Sequence, residues 1–348
     1  MSERELVRIV KVDDVIPHPN ADALELAIIG GWQCCVKIGE FKVGDEAMYF
    51  EIDSMLPLDN PVFEFLQGRN ERMFEGKRYA RIKTMKLRQE LSQGLLLPMS
   101  AFNHYAMTDS ELLEHLGIIK YEPALPACLA GNALGLFPAF IPKTDQERVQ
   151  NIKRNLEFSI NSSEEFEVTY KLDGSSFTAY VFRYNGEDDG IFTGVCSRNL
   201  ELKIDESNEG NTFVKTFIEN DLDAKLRQYH AETDKFIAIQ GEMVGPGIQD
   251  NFEGLDKVEL YVYSVFDIRE QQYMSPNEAR TAVKFMGLNY VPVFAERVTL
   301  TSLQDILTMA DGESGLKGKF REGLVFKSLT RDFSFKAISN RYLLKTGR

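Results

Sequence analysis

The chain is poor in cysteine, with four in 348 residues, and Cys34, Cys35, Cys128 and Cys196 form no Cys-x-x-Cys pair. A disulfide framework and a structural zinc site are therefore excluded, because the adjacent Cys34 and Cys35 cannot easily bridge to each other. No run reaches the roughly eighteen apolar residues that a membrane-crossing helix needs. The segment from Met1 to Arg8 carries charges where a secretory signal would carry an apolar core. A cytoplasmic location, or another intracellular reducing compartment, is the expectation. Internal repeats and low-complexity runs are also missing. So is any excess of positive charge: 40 Lys and Arg against 53 Asp and Glu leave a net charge of −13, which at first argues against a polyanionic partner.

The distribution of charge matters more than its sum. Between residues 69 and 88 lie Arg69, Arg72, Lys77, Arg78, Arg81, Lys83, Lys86 and Arg88, opposed only by Glu71 and Glu75. Such a stretch is either a solvated basic hairpin or a nucleic-acid contact, and charge alone does not separate the two. A length of 348 residues exceeds one small core and suits two domains. Up to about residue 97 the text consists of short apolar segments separated by turn residues, at 7–12, 27–29, 33–38, 46–50, 78–82 and 94–97. This spacing predicts a small all-β barrel.

Two phrases sharpen the expectation. The run Ile16-Pro17-His18-Pro19-Asn20-Ala21-Asp22-Ala23-Leu24 and the later Lys86-Leu87-Arg88-Gln89-Glu90-Leu91-Ser92-Gln93-Gly94-Leu95-Leu96 resemble the two hallmark segments of tRNA-binding OB-fold domains. That resemblance implies an RNA-facing module. A short helix follows, capped by Asp109 or Ser110, with Leu112, Leu113 and Leu116 as its apolar stripe and Gly117 as its stop. Proline and glycine then thicken, and the expected division is a first domain over 1–117, a linker over 118–137 and a second domain over 138–348. Thr144 and Glu147 make a capping box for a helix through Arg154. Strands are expected at 168–172, 176–183, 190–196, 236–243, 259–268, 289–294 and 324–328, with helices at 211–229, 275–286 and 302–309. Elements in this order predict an α+β fold of antiparallel sheets flanked by helices.

The chemistry centres on Lys171-Leu172-Asp173-Gly174-Ser175. On a strand, Lys171 and Asp173 share one face, Tyr170 and Leu172 the other, and Gly174 lets the chain turn away. An amine and a carboxylate side by side at a strand end can hold a divalent cation and favour the neutral, nucleophilic amine. Alone, Lys-x-Asp-Gly is weak evidence, equally consistent with a β-turn and an exposed lysine. It is followed, however, by Ser197-Arg198-Asn199, by Gln240-Gly241-Glu242, by Tyr263-Ser264-Val265-Phe266-Asp267-Ile268, by Arg321-Glu322-Gly323-Leu324-Val325-Phe326-Lys327 and by Ser334-Phe335-Lys336. This ordered set resembles the motif series of the covalent nucleotidyltransferases: DNA ligases, RNA ligases and capping enzymes. Only twelve residues follow Lys336, too few for the OB domain that DNA ligases and capping enzymes carry there. An OB-like module in front resembles the ATP-dependent RNA ligases built from an N-terminal OB domain and a C-terminal nucleotidyltransferase domain.

The resemblance implies that Lys171 takes AMP from ATP as lysyl-AMP, with Mg²⁺ or Mn²⁺ held by Asp173, Glu242 and Glu322 through bound waters. It implies a nucleotide site drawn from Arg148, Asn151, Tyr170, Arg198, Glu242, Phe266, Glu322 and Lys336, with Phe266 stacking on adenine and Lys336 meeting the α-phosphate. The implied partner is RNA with 3′-hydroxyl and 5′-phosphate ends in a nicked duplex, with no membrane and no obligate protein partner. One departure is recorded: where the family often has a second lysine two residues after Lys336, this chain has Ile338, and Lys345 or Arg341, less readily Lys327, are candidates for its role. A guanylyltransferase, a ligase preferring DNA and a catalytically dead RNA clamp are the rivals.

Overall fold

The computed structural model describes residues 5–102, 109–121, 132–183 and 190–346. These pack as two compact units: the described parts of 1–124, 150–153 and 340–348 form the first, and those of 125–149 and 154–339 the second.

In the first unit the strand Glu46–Phe50 pairs antiparallel with Val7–Lys11 on one side and Leu95–Pro98 on the other. Its last four residues are all buried, and the two-residue period of a strand explains why. Ala47 and Tyr49 pack with Trp32, Ile29 and Phe41, while Met48 and Phe50 pack with Leu56, Phe63 and Phe102. One strand thus serves two apolar clusters, a demand that only a continuous apolar run can meet. Asp14–Pro17, Leu24–Ile29 and Trp32–Lys37 form a meander, and Ser54–Pro57, Lys77–Arg81 and Glu71–Phe74 lie side by side in a further sheet.

The two hallmark phrases meet. His18 Nδ1 accepts from the Asn20 backbone N–H at 3.0 Å, which leaves Nε2 to donate to the Leu87 carbonyl at 3.1 Å. Asn20 Nδ2 donates to the Arg88 carbonyl at 3.0 Å. Arg88 and Gln89, with φ of 47° and 78°, form the left-handed two-residue turn between Thr84–Leu87 and Glu90–Gln93.

The second unit has two sheets. The larger runs in the order Ala133–Leu136, Leu200–Leu202, Ile191–Cys196, Ser175–Arg183, Ile237–Val244, Glu259–Asp267, Gln272–Tyr273, with Asn289–Tyr290 added parallel to Glu259–Asp267. Helices Thr212–Glu219, Leu222–Thr233 and Pro276–Phe285 cover its outer face through Val214, Phe217, Leu222, Leu226, Ala282 and Val283. The smaller sheet orders Val293–Thr299, Glu165–Lys171, Gly323–Ser328 and Ser334–Ile338, all antiparallel.

Four expectations change. The capping box at Thr144 starts no helix: Thr144 Oγ1 lies 3.3 Å from Ser176 Oγ, the Glu147 carbonyl accepts from the Lys336 N–H at 2.9 Å, and the helix is Lys153–Asn161. The helix expected at 211–229 is broken by Asp221, whose φ of 52° is left-handed, into Thr212–Glu219 and Leu222–Thr233. The strand expected at 289–294 is divided at Pro292, which has no N–H to give a ladder. Both ends of the stretch expected as linker join sheets: Ile119–Lys120 pairs with Ser54 and Met55, and Ala133–Leu136 pairs with Leu200–Leu202. The caps expected from the side chains of Asp109 or Ser110 lie outside the described residues, whereas Leu112 and Leu116 are buried and Gly117 adopts φ of 66° after the helix.

One buried ion pair fastens the smaller sheet to its covering helix. Glu164 accepts from Arg331 Nε at 2.7 Å, from Arg331 Nη2 at 2.7 Å and from Ser159 Oγ at 2.7 Å, and also from Ser328 Oγ. Burial pushes its pKa up, but these hydrogen bonds and the Arg331 charge win and hold it at about 2. A carboxyl depressed in the fold stabilises above its unfolded pKa, and that contribution is lost as pH falls from about 4.5 through about 2. Glu164→Gln is expected to cost about 3 kcal/mol at neutral pH and to flatten the acid limb of the stability curve. Urea melts of both chains between pH 7 and pH 2 check this; parallel curves would show the pair to be idle.

Candidate active site

Lys171 ends its strand opposite Gly323, and Gly323 stands opposite Ile338. Directly paired residues share a face, so Lys171, Ile338 and, two residues on, Lys336 look to the same side of the smaller sheet. Gly323 must be glycine there, because a Cβ would come within 2.2 Å of the Ala337 carbonyl oxygen. Gly174 is fixed in the same way: a Cβ would meet the Met243 carbonyl at 2.3 Å and Glu242 Cγ at 2.9 Å. The turn after Lys171 therefore lies directly on the strand that carries Glu242.

Carboxylates surround the amine. Lys171 Nζ lies 2.7 Å from Glu322 Oε1. Burial works to lower the lysine's pKa, yet the charges of Glu322, Glu242 and Asp173 outweigh it and hold the pKa above the usual value. Glu242 is pushed up to about 8, first by burial and then by Glu322 and Asp173, against the opposing effects of Lys171 and of the Gly174 N–H it accepts. Glu322 Oε2 is buried without a hydrogen-bond partner among the described residues. Negative charge therefore exceeds what one ammonium neutralises. No three His, Cys, Asp or Glu side chains among the described residues stand close enough to ligate a metal directly. Hard oxygen donors in surplus, one oxygen unpaired, fit a hydrated divalent cation held through its water shell.

Cations stand beside this acidic group. The Lys336 pKa is lowered to about 8, mainly by burial and then by the charges of Lys171 and Arg148. Arg148 and Lys336 form a backbone bridge. An adjoining pocket is lined by Phe137, Lys143, Thr144, Asp145, Ser176, Thr178 and Arg198. Arg198 Nη2 lies 2.6 Å from Asp145, and Lys143 Nζ donates to Asn199 at 3.1 Å.

The aromatic at this pocket is one that strand alternation does not indicate. Gln240 pairs with Ser264 and Gly241 with Val262, so Tyr263 is the extra residue of a β-bulge. Its phenol hydrogen-bonds to Thr144 and Ser176, both pocket residues. Phe266 shares the face of Gln240 by register, but it is 4% exposed and Tyr273 covers it edge-on at 5.1 Å. Tyr170 is turned away as well, packed on Phe294 at 5.8 Å and under the Arg321 guanidinium. Asn151 groups with the first unit, where Nδ2 donates to Glu51 at 2.8 Å. Ile338 is buried, and of the candidates for the second lysine's role Lys327 lies in the same sheet two residues beyond Val325, the partner of Lys336. Its amine donates to the Tyr263 carbonyl and, at 3.2 Å, to Ser264, and burial lowers its pKa to about 8.

Glu253 is a further residue that no motif marks. It is 1% exposed; one oxygen accepts the Asp173 N–H at 3.3 Å and the other the Ser314 hydroxyl at 2.8 Å. A buried carboxylate beside Asp173 and Glu322 is costly, so its geometry identifies it as a positioning residue for the Lys171–Asp173 turn. Glu253→Ala should slow any transfer at Lys171 about 10- to 100-fold at saturating nucleotide, with Glu253→Gln retaining most of the rate because one oxygen still accepts the Asp173 N–H. Equal rates in all three chains would remove the role.

Comparison with known proteins now places the molecule. An OB-fold domain model matches residues 6–99 and an RNA ligase model matches residues 164–338. No curated protein matches. Among solved structures, the apo form of an aspartate-to-alanine mutant of Naegleria gruberi RNA ligase is 40% identical, covers 100% of this chain and 99% of its own, and superposes with a TM-score of 0.82. A lysine-to-methionine mutant of that ligase with AMP and Mn is 39% identical over 99% of each chain, with a TM-score of 0.82. The ligase with PPi is 40% identical over 99% of each, with a TM-score of 0.80. An OB-fold module followed by a ligase-type α+β module defines the class. The chain belongs to the RNA ligase family.

Proposed function

We propose that this chain is an ATP-dependent RNA ligase that seals 3′-hydroxyl/5′-phosphate breaks through lysyl-AMP. The observation that carries the reading is one amine, Lys171, enclosed by Asp173, Glu242 and Glu322 and flanked by the cations Lys336 and Arg148. In the first step Lys171 Nζ, having lost a proton, attacks the α-phosphorus of ATP; the N–P bond forms as the bond to pyrophosphate breaks. In the second, an RNA 5′-phosphate oxygen displaces the lysine and takes the adenylate. In the third, an RNA 3′-hydroxyl attacks that 5′-phosphorus and AMP leaves. Each step is an in-line displacement in which positioning and charge neutralisation do most of the catalysis.

Raised in pKa by its neighbours, Lys171 is an ammonium at rest and must shed a proton to act. Mg²⁺ or Mn²⁺ supplies, when bound near Asp173, Glu242 and Glu322, the positive charge that lets the amine become neutral. Lys336 and Arg148 meet charge on the α-phosphate and on departing pyrophosphate, Arg198 meets ribose or the acceptor phosphate, and Tyr263 replaces Phe266 as the aromatic beside adenine. The Naegleria gruberi ligase structures with AMP and Mn and with PPi support nucleotide, metal and pyrophosphate as the ligands of this site. In the first unit, the basic residues of the Glu71–Phe74 and Lys77–Arg81 hairpin track the RNA backbone. Arg81 does not take part, since Asp53 holds it at 2.6 Å and Tyr121 lies under it at 3.7 Å. No helix among the described residues is long and apolar enough to cross a membrane, and an intracellular place of work is part of the proposal.

A nicked RNA duplex tests the end chemistry. Sealing is expected with 3′-hydroxyl and 5′-phosphate ends and ATP, and not with 3′-phosphate and 5′-hydroxyl ends. Sealing of the second substrate alone, or adduct formation from GTP in preference to ATP, would overturn the assignment.

A further inference from the structure

The hairpin of the first unit holds more than positive charge. Glu71–Phe74 pairs with Lys77–Arg81 across the two-residue turn Glu75-Gly76, whose φ values of 47° and 77° are both left-handed. Such a turn matches the twist of its strands and makes a stiff projection. The root is anchored, with Tyr79 7% and Ala80 1% exposed, but at the tip Met73 is 66% and Phe74 47% exposed. Adjacent exposed apolar side chains on an otherwise charged hairpin call for an explanation that single ones do not.

The register supplies one. Phe74 stands directly opposite Lys77, and Met73 directly opposite Arg78. Since neighbouring strand residues point to opposite sides, each side of the tip presents one apolar group beside one cation. Arg72 and Arg69 extend the charge toward the root, opposed by Glu75 in the turn and by Glu71, which lies 3.9 Å from an Arg78 side chain that is 56% exposed. On the side of Phe74, a flat ring next to the Lys77 cation complements a nucleotide, which offers a stackable base next to a phosphate.

We propose that this hairpin tip is a base-stacking RNA contact, in which Phe74 receives an unpaired base of the RNA, Lys77 on the same side holds a flanking phosphate, and Arg78 on the other side meets the backbone further along. The proposal rests on the RNA-ligase reading and adds to it a recognition element for unpaired nucleotides at or beside the break. Because Phe74 is exposed, Phe74→Ala should melt with the parent chain.

The test uses the full chain and a single-stranded RNA oligonucleotide carrying 2-aminopurine, titrated at fixed salt. The expected result is quenching of the fluorescent base by the parent, loss of that quenching with Phe74→Ala, a Kd weakened about 5- to 150-fold, and recovery with Phe74→Trp. Lys77→Gln together with Arg78→Gln should weaken binding and shallow its salt dependence while the residual complex stays quenched. Equal affinity and quenching in parent and Phe74→Ala would overturn the stacking contact and leave the ligase reading intact. Failure of the parent to bind RNA, when it still acquires AMP from ATP, would overturn the RNA role of the whole module. A change in sedimentation mass, with no change in RNA affinity, would assign the tip to protein association and overturn the proposal.

Discussion

Lys171→Ala is expected to abolish AMP loading, a loss of about 10⁴-fold or more, because no second nucleophile takes the place of a covalent catalyst. The amine of Lys336 lies two strands away, beyond Gly323–Ser328, and its strand pairs through the backbone with Glu147 and Arg148. RNA affinity should be nearly unchanged, since the basic hairpin is untouched. The substitution also has a stability signature. Removing Lys171 leaves Glu322, Glu242 and Asp173 without the charge that now balances them. Breaking a buried pair costs about 3–5 kcal/mol, and part of that should return when a divalent cation binds the folded chain. Melting the variant with and without Mn²⁺ should therefore show a larger metal-dependent rise than the parent shows. A smaller rise would mean that the carboxylates do not share one cation.

Lys336→Ala is expected to produce the second-largest effect, a fall of about 10²- to 10³-fold in the rate of AMP loading. The reason is electrostatic. Burial and the neighbouring charges of Lys171 and Arg148 destabilise the Lys336 ammonium and bring its pKa down to about 8. An anion arriving there relieves that stress, most of all when charge builds on the phosphate as pyrophosphate departs. The loss should appear in the rate at saturating ATP more than in the ATP concentration needed for half-maximal rate. A change confined to ATP affinity would make Lys336 a binding residue and leave the transition state without its proposed cation.

Much of this site was legible because the strands obey a simple period. Lys171, Asp173, Glu242, Glu322 and Lys336 each end or adjoin a strand next to a glycine or an apolar neighbour, and the structure sets Lys171 among the carboxylates and beside Lys336. The failures share a cause. Phe266 was assigned by its place in the motif series, and Tyr263 was passed over because no local composition announces the bulge that holds it. Glu253 comes from a loop and acts on Asp173 across 80 positions of chain, a contact that only the tertiary fold creates. Thr144 and Glu147 have the letters of a capping box, yet Ser176 and Lys336 claim their polar groups first. Two domains were expected from the chain length and from the proline and glycine between residues 121 and 142. That residues 150–153 and 340–348 group with the first unit was not, because packing partners distant in sequence leave no mark on it.

The most direct measurement is the intact mass of the purified chain before and after incubation with ATP and Mg²⁺ or Mn²⁺, followed by mapping of the modified peptide. The expected result is a gain of one adenylate, carried on Lys171 through a bond that acid cleaves and alkali spares. No gain in mass, or an adenylate mapped to any other residue, would contradict the account.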